Sequence, residues 1–284
     1  MLGARPRTLP AAIVPVLVGT AAAHGVGPTI WWRAGAAMAV SLALQIGTNY
    51  ANDYSDGVRG TDDVRVGPVR LVAGGLAPPA AVKRAAFGSF ALAALVGLGL
   101  AAATTWWLIA VGALSIAAGW FYTGGSKPYG YAGFGELFVF VFFGLVATVG
   151  SEFVQIERTT AIGWVSGCGV GALIVAILVA NNLRDIPTDT VAGKKTLAVR
   201  MGDVVTRRLY MALVAAAFVA SLVCAVIGRP AAAAALAGLA LAAPLVATVR
   251  RGALGRNLIP VLAGTGRLTL AYGVLFAAGL WISA

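Results

Sequence analysis

The 284-residue sequence contains few charged and few chemically reactive side chains. Only 11% of its residues are charged, whereas a soluble domain averages about 25%. It has one histidine, His24, and two cysteines, Cys168 and Cys224, which both lie inside apolar runs. A histidine-based metal site, a catalytic triad and a disulfide framework therefore have no support. The apolar excess also excludes a disordered chain, and it leaves no polar basic surface for nucleic acid.

Long apolar stretches take the place of those polar features. Crossing the hydrocarbon core of a bilayer takes about 20 apolar residues, and the sequence contains roughly nine such stretches. We therefore predict an all-α integral membrane protein with a single transmembrane domain over residues 1–284. The predicted spans are centred near Val16, Ala39, Ala94, Gly112, Phe142, Leu173, Ala217, Leu239 and Val274.

The basic residues indicate how the chain is oriented in the membrane. With the N-terminus in the cytoplasm, only Arg33, Arg158 and Arg229 of the 21 basic residues fall outside, as the positive-inside rule requires. The abundance of alanine and arginine suggests a bacterial source. We therefore expect a multi-pass protein of the bacterial cytoplasmic membrane, with the N-terminus and the functional site on the cytoplasmic side.

Two polar stripes recur at matching places in the sequence. The members of each stripe are separated by short helical steps, so they project from one face of a helix. The first stripe contains Gln45, Asn49, Asn52, Asp53 and Asp56, and the second contains Asn181, Asn182, Asp185 and Asp189. We expect Pro187 to end the second helix, because proline lacks the N–H donor.

The shared spacing of the two stripes predicts an internal repeat. It favours two four-helix pseudo-repeats around a central cavity, at about residues 1–130 and 131–255. A ninth helix, at about residues 265–284, lies outside the repeat. Interhelical hydrogen bonding and helix capping are the alternative explanations for the stripes.

Oxygen-bearing side chains next to bases predict a site for a diphosphate ester. Carboxylates inside a membrane are costly and usually face a bundle interior or a water-filled cavity. Two facing sets of oxygen ligands suit Mg²⁺, which carboxylates and substrate phosphates hold together. Arginine and lysine would contact the remaining phosphate oxygens. The flanking bases are Arg59, Arg65, Arg70, Lys127, Arg184, Lys194, Lys195 and Arg200.

Three segments resemble the motifs of a known family. The run from Asn52 to Asp56, continued to Gly60 and Asp62, is similar to the first Asp-rich motif of the UbiA superfamily of intramembrane prenyltransferases. Residues 181–199 are similar to the second motif of the same superfamily. Residues 122–136 resemble the loop that follows the fourth helix in that superfamily. Glycine at position 60, with the acid at Asp62, is similar to the pattern of the 1,4-dihydroxy-2-naphthoate polyprenyltransferases.

This resemblance implies a reaction and a set of site residues. The reaction is Mg²⁺-dependent transfer of a polyprenyl chain from its diphosphate to 1,4-dihydroxy-2-naphthoate in the membrane, with loss of diphosphate and CO₂. It implies catalytic roles for Asp53, Asp56, Asp185, Asp189 and Lys127. The implied metal ligands are Asn52, Asp53, Asp56, Asp62, Asn181, Asn182, Asp185 and Asp189. The implied substrate-binding residues are Asn49, Tyr54, Arg59, Arg65, Arg70, Tyr122, Tyr129, Arg184, Lys194 and Lys195.

Two other functions stay open from the sequence alone. The first is prenyl transfer to another acceptor, such as 4-hydroxybenzoate, a chlorin or a sugar phosphate. The second is a transporter, because repeats with polar residues near the membrane midplane are also typical of transporters. The polar groups gather at one face, which disfavours a transporter. Neither nucleic acid nor an obligatory protein partner is expected.

Overall fold

The computed structural model describes residue 3 and residues 5–60 and 70–284, and this part of the chain is almost entirely helical. Its nine helices each contain one of the predicted span centres, so the prediction of nine spans is confirmed. The helices are α1 (Pro10–Ala23), α2 (Trp31–Val58), α3 (Pro79–Ala103), α4 (Trp107–Phe121), α5 (Gly135–Ile156), α6 (Ala161–Val191), α7 (Leu197–Val226), α8 (Pro230–Arg250) and α9 (Gly255–Ile282).

The helices have the length and composition of a multi-pass membrane protein. Six of them, α3 and α5 to α9, are long and apolar enough to cross a membrane. Helices α1 and α4 are shorter apolar helices, and α2 is long but carries the first polar stripe. Large apolar side chains such as Trp107, Leu95 and Leu114 are exposed on the outside of the bundle. A surface of this kind is suited to contact with lipid.

Helix α6 is the most deeply buried of the six long apolar helices and packs closely against α5. The close approach depends on glycine. A Cβ atom added at Gly144 of α5 would lie 2.6 Å from the Cα atom of Gly171 in α6. Gly144 lies in a π-helical stretch, Phe140–Val146. Such stretches are rare and frequently occur at functional sites.

Helix α6 also continues further than the sequence predicts. The expectation that Pro187 ends the helix is wrong, because the helix runs on to Val191. The Thr188 hydroxyl donates a hydrogen bond to the Asp185 carbonyl oxygen at 3.0 Å. Thr188 directly follows Pro187, which has no N–H group to donate to the helix. Asp185 and Asp189 therefore lie one turn apart on the same helix.

A cavity of about 1740 Å³ lies inside the bundle. Its lining comes from α1 to α6, from the first turns of α9 and from connecting segments at one end of the bundle, whereas no described residue of α7 or α8 lines it. Helix α7 packs along α6, and α8 packs against α7 and α9. The predicted central cavity is therefore present, and the division into two four-helix repeats stays a prediction.

Candidate active site

The first polar stripe divides between two environments. Gln45, Asn49, Asn52 and Asp56 of α2 line one end of the cavity. Asp53, on the same helix, is not among the described lining residues. Its two carboxylate oxygens instead accept hydrogen bonds from the backbone of the segment that precedes α3. The stripe therefore supplies one carboxylate to the cavity rather than two.

Asp56 is the carboxylate of α2 that faces the cavity. It is 5% exposed and accepts a hydrogen bond from the Tyr131 hydroxyl. The Arg70 guanidinium lies 3.7 Å from its Oδ2 atom. An acidic group at the end of α2 and a basic group from the segment that precedes α3 therefore meet at the cavity wall.

Asp185 is the matching carboxylate of α6. The Arg184 Nε and Nη2 atoms donate to its two oxygens, each at 2.6 Å, and the Arg184 side chain is only 1% exposed. Arg184 Nη2 also donates to Asn181 Oδ1 at 2.9 Å. Asp189, one turn further along, lines the same cavity. The second stripe thus presents two carboxylates, one of them in a buried ion pair.

The amide side chains around these acids have their own partners. Asn52 Oδ1 accepts a hydrogen bond from the Thr123 hydroxyl at 2.8 Å, and Asn182 Nδ2 donates to Glu136 Oε1 at 2.8 Å. Asn49 Nδ2 donates to the Thr8 hydroxyl at 3.0 Å, which connects α2 to the turn before α1. These three predicted amides are therefore held by hydrogen bonds at the polar end of the cavity.

The predicted bases divide between the cavity and the surface. The predicted bases that line the cavity are Arg59, Arg70, Arg184 and Lys194. Lys127, Lys195 and Arg200 are exposed and do not contribute to the described lining. The predicted residues Asp62 and Arg65 lie outside the described residues.

Two of the three predicted tyrosines line the cavity. Tyr122 and Tyr129 pack edge to face with ring centroids 5.6 Å apart, and Tyr129 stacks on Phe138 at 4.1 Å. Both tyrosines lie in the connection between α4 and α5. Burial raises the pKa of each phenol well above its usual value, so both stay neutral. Tyr54 is not in the described lining and instead faces Trp120, 6.2 Å between ring centroids.

Beyond the tyrosines the cavity becomes apolar. Residues of α4 line it from Leu108 to Gly119, which corresponds to roughly 17 Å at the helical rise per residue. Val40 of α2, Leu98 of α3 and Val154 of α5 form the walls of this part. The cavity therefore joins a charged end to a long apolar channel.

Comparison with known proteins shows to which family this arrangement belongs. Residues 12–258 match the model of the UbiA prenyltransferase family. The chain belongs to this family. It is 55% identical to the 1,4-dihydroxy-2-naphthoate octaprenyltransferase of Mycobacterium tuberculosis, over 98% of this chain and 95% of that protein.

Solved structures of UbiA homologs share the fold. The apo structure of a UbiA homolog from Aeropyrum pernix aligns with a TM-score of 0.73 at 17% identity, covering 97% of this chain and 96% of that one. A UbiA homolog from Archaeoglobus fulgidus, bound to GPP and Mg²⁺, aligns with a TM-score of 0.66 at 14% identity. That alignment covers 98% of this chain and 97% of the homolog.

The donor atoms of this UbiA site fit a divalent metal that the substrate helps to hold. No three histidine, cysteine or acidic side chains in the described part of the chain lie close enough to hold an ion by themselves. Mg²⁺ does not need such a cluster, because one or two carboxylates plus substrate phosphates typically hold it. Asp56, Asp185 and Asp189 provide carboxylate oxygens around one cavity. The set therefore suits Mg²⁺ together with a diphosphate.

The structure also adds residues that were not predicted for the site. Arg5, Thr8, Thr123, Tyr131 and Glu136 contact or border the polar end of the cavity. Glu136 and Tyr131 lie in the segment 122–136, which resembles the loop of the family. This resemblance is the one signal in the sequence that could have placed them at the site. Thr8 and Arg5 precede the first helix, where the sequence has no motif.

Proposed function

We propose that this UbiA-family chain transfers a polyprenyl group from polyprenyl diphosphate to 1,4-dihydroxy-2-naphthoate, releasing diphosphate and CO₂. The product is demethylmenaquinol, a precursor of menaquinone. The observation that carries the proposal is the single cavity that joins a polar end with acids and bases to an apolar channel. A diphosphate with a long hydrocarbon tail has the same two parts. The high identity to the mycobacterial relative favours the naphthoate acceptor.

The polar end is suited to binding the leaving diphosphate. Asp56, Asp185 and Asp189 would hold Mg²⁺, with Asn52, Asn181 and Asn182 as further oxygen donors. Bound Mg²⁺ supplies Lewis-acid neutralisation of the charge that develops on the leaving diphosphate. Arg70 and Arg184 line the same end and provide donors for the remaining phosphate oxygens. These groups together favour cleavage of the bond between the allylic carbon and the diphosphate oxygen.

The aromatic part of the cavity is suited to an allylic cation. Tyr122, Tyr129 and Phe138 line the cavity between the charged end and the apolar channel. Neutral aromatic faces attract a cation, and apolar walls keep water away from it. The high pKa of both phenols keeps them neutral, so neither forms a phenolate that could capture the cation.

The acceptor must bring its carboxylate and its electron-rich ring to this cation. Arg59 and Lys194 both lie over the Tyr131 ring, at 5.7 Å and 4.7 Å from its centroid. We assign the acceptor carboxylate to these two cations rather than to the exposed Lys127. The ring carbon then forms the new carbon–carbon bond, and its carboxylate leaves as CO₂.

The same proposal places the site on the cytoplasmic side of a bacterial membrane. The polar end of the cavity lies where α2 and α6 end, next to connections that carry Arg59, Arg70 and Lys194. Exposed Trp31, Trp106 and Trp107 lie at the other ends of their helices. Basic residues on one side and tryptophan at the opposite interface are typical of membrane proteins.

The function is tested with the purified protein in detergent, labelled polyprenyl diphosphate and dihydroxynaphthoate. We expect a prenylated naphthoquinol and free diphosphate with Mg²⁺, and no product after EDTA. A parallel reaction offers 4-hydroxybenzoate at the same concentration. Prenylation of that acceptor alone would overturn the choice of acceptor, and absence of any product with Mg²⁺ would overturn the proposed reaction.

The apolar channel leads to a prediction about donor length. Gly112 of α4 lines the channel, and a Cβ atom there would meet no heavy atom within 4 Å. We expect Gly112→Leu to fill part of the channel and lower kcat/KM for a long polyprenyl diphosphate by about tenfold, since overpacking costs roughly 1–3 kcal/mol. Geranyl diphosphate, which needs less of the channel, should be used almost normally.

A matched control separates this effect from general damage. Gly99 of α3 is exposed, lies outside the described lining and also has open space at its Cβ position. Gly99→Leu should leave both donors unchanged. Equal losses for the two donors in Gly112→Leu would argue against a tail channel at this position.

A further inference from the structure

The carboxylate of Asp53 faces the segment that precedes α3, and its Oδ2 atom also lies 3.7 Å from the guanidinium of Arg5. Its Oδ2 atom accepts a hydrogen bond from the Leu71 N–H at 3.1 Å, and its Oδ1 atom accepts one from the Val72 N–H at 3.0 Å. Asp53 is 2% exposed. Successive backbone N–H groups that converge on one carboxylate form strong, charge-assisted hydrogen bonds. Asp53 therefore ties α2 to the segment that leads into α3.

Gly57 makes this contact possible. It lies one helical turn after Asp53, and a Cβ atom added there would lie 2.6 Å from the Val72 Cβ atom. The Val72 side chain and the Ala73 backbone nitrogen therefore pack directly against Gly57 of α2, where a larger residue would push the segment away. The segment is itself folded, because the Leu76 and Ala77 N–H groups donate to the Leu71 carbonyl oxygen. Two adjacent amides therefore hold this folded segment against α2.

The segment carries Arg70 into the cavity. Arg70 immediately precedes the two amides that Asp53 holds, and its Nη2 atom lies 3.7 Å from Asp56 Oδ2. It lines the polar end of the cavity, as Asp56 does. Asp53 and Asp56 are only three residues apart, yet one carboxylate faces the cavity and the other fixes the backbone beside a cavity arginine.

We propose that Asp53 is a positioning residue that fixes residues 70–72 against α2 and so holds Arg70 at the diphosphate site. This assignment replaces the metal-ligand role that its place in the motif implies. It rests on the proposed function, because the diphosphate is what Arg70 would contact. The metal then depends on Asp56 and the acids of α6, not on Asp53.

Hydrogen–deuterium exchange of the full-length protein tests the anchor without any catalysis. In the Asp53→Ala variant, the Leu71 and Val72 amides each lose their hydrogen bond to the carboxylate. We therefore expect the exchange rate of these two amides to rise about tenfold or more. Asp53→Asn should give an intermediate rise, because the asparagine keeps one carbonyl acceptor. Adding Mg²⁺ alone to the unmodified protein should leave this exchange unchanged. Faster exchange with Mg²⁺ would mean that the carboxylate leaves the amides for the metal, and would overturn the proposal.

Steady-state kinetics provide the second readout. In the Asp53→Asn variant we expect the KM for polyprenyl diphosphate to rise about tenfold, because Arg70 loses its contact with the charged diphosphate. The Mg²⁺ concentration for half-maximal rate and the KM for the acceptor should stay within about twofold. Arg70→Gln should reproduce the kinetic change without faster exchange at Leu71 and Val72.

Asp56→Asn is the comparison for a residue that binds metal. It should raise the Mg²⁺ requirement and leave the exchange at Leu71 and Val72 unchanged. An equal rise of the Mg²⁺ requirement in Asp53→Asn, or unchanged exchange in Asp53→Ala, would overturn the positioning role. Because exchange is measured without substrate, failure of the proposed reaction in the unmodified protein would be seen separately.

Discussion

An Asp185→Asn variant is expected to lose about three orders of magnitude in turnover while still folding in the membrane. The substitution removes the charge but keeps an oxygen that accepts a hydrogen bond from Arg184, 2.6 Å away. A metal-assisted step depends on that charge. Loss of roughly 4 kcal/mol of the stabilisation that a bound metal gives the leaving group corresponds to about 10³ in rate. The measurement is turnover with saturating donor and acceptor, followed across a range of Mg²⁺ concentrations.

Asp203 provides a matched control for this variant. It forms an ion pair of similar geometry with Arg207, with Nε 2.6 Å from its Oδ1 atom, but it is not in the described lining of the cavity. Asp203→Asn should keep the rate within about twofold, because it changes an ion pair far from the transferred group. If Asp185→Asn kept more than a tenth of the normal rate, Asp185 would not be a metal ligand.

The sequence predicted the helices and the cavity for a clear physical reason. Apolar length predicts membrane spans, and helical spacing predicts which side chains share a face. Polar stripes on α2 and α6 cannot face lipid, so they had to meet in the interior. The structure places Asp56 and Asp185 in the same cavity, as that argument requires.

The same reasoning could not distinguish Asp53 from Asp56. Both lie on one polar face of α2, and helical spacing contains no information about which tertiary neighbour each meets. The difference arises where residues 70–72 approach α2 at Gly57, between parts of the chain that are separate in sequence. A motif therefore indicated that acids are needed here, and only the packing indicated two different roles.

Loop residues were the least predictable part of the site. The resemblance implies site roles for Lys127 and Lys195 because they lie in the motif segments, but neither is in the described lining of the cavity. The path of a loop depends on turns and tertiary hydrogen bonds rather than on a periodic pattern. The Lys195 N–H, for example, donates to the Tyr131 carbonyl oxygen, and the Lys195 side chain is exposed.

The ion pair between Arg184 and Asp185 leads to the largest expected effect on stability. The two side chains are 1% and 8% exposed, and both guanidinium contacts measure 2.6 Å. Removing one partner of a buried pair leaves an uncompensated charge, which costs about 3–5 kcal/mol. Arg184→Met is therefore expected to lower the free energy of unfolding by that amount in metal-free buffer. Thermal unfolding of the purified protein in detergent is the measurement.

Two further variants show whether charge or packing is responsible. Arg184→Lys keeps the charge but loses the planar two-point contact, so it should lie between the unmodified protein and Arg184→Met. The double variant Arg184→Met with Asp185→Leu removes both charges and should recover most of the stability, because replacing a complete buried pair with apolar groups is often neutral. It should still be inactive. Recovery of stability without activity would show that the pair is retained for the chemistry of the cavity, whereas an Arg184→Met variant as stable as the unmodified protein would exclude a buried, uncompensated charge at Asp185.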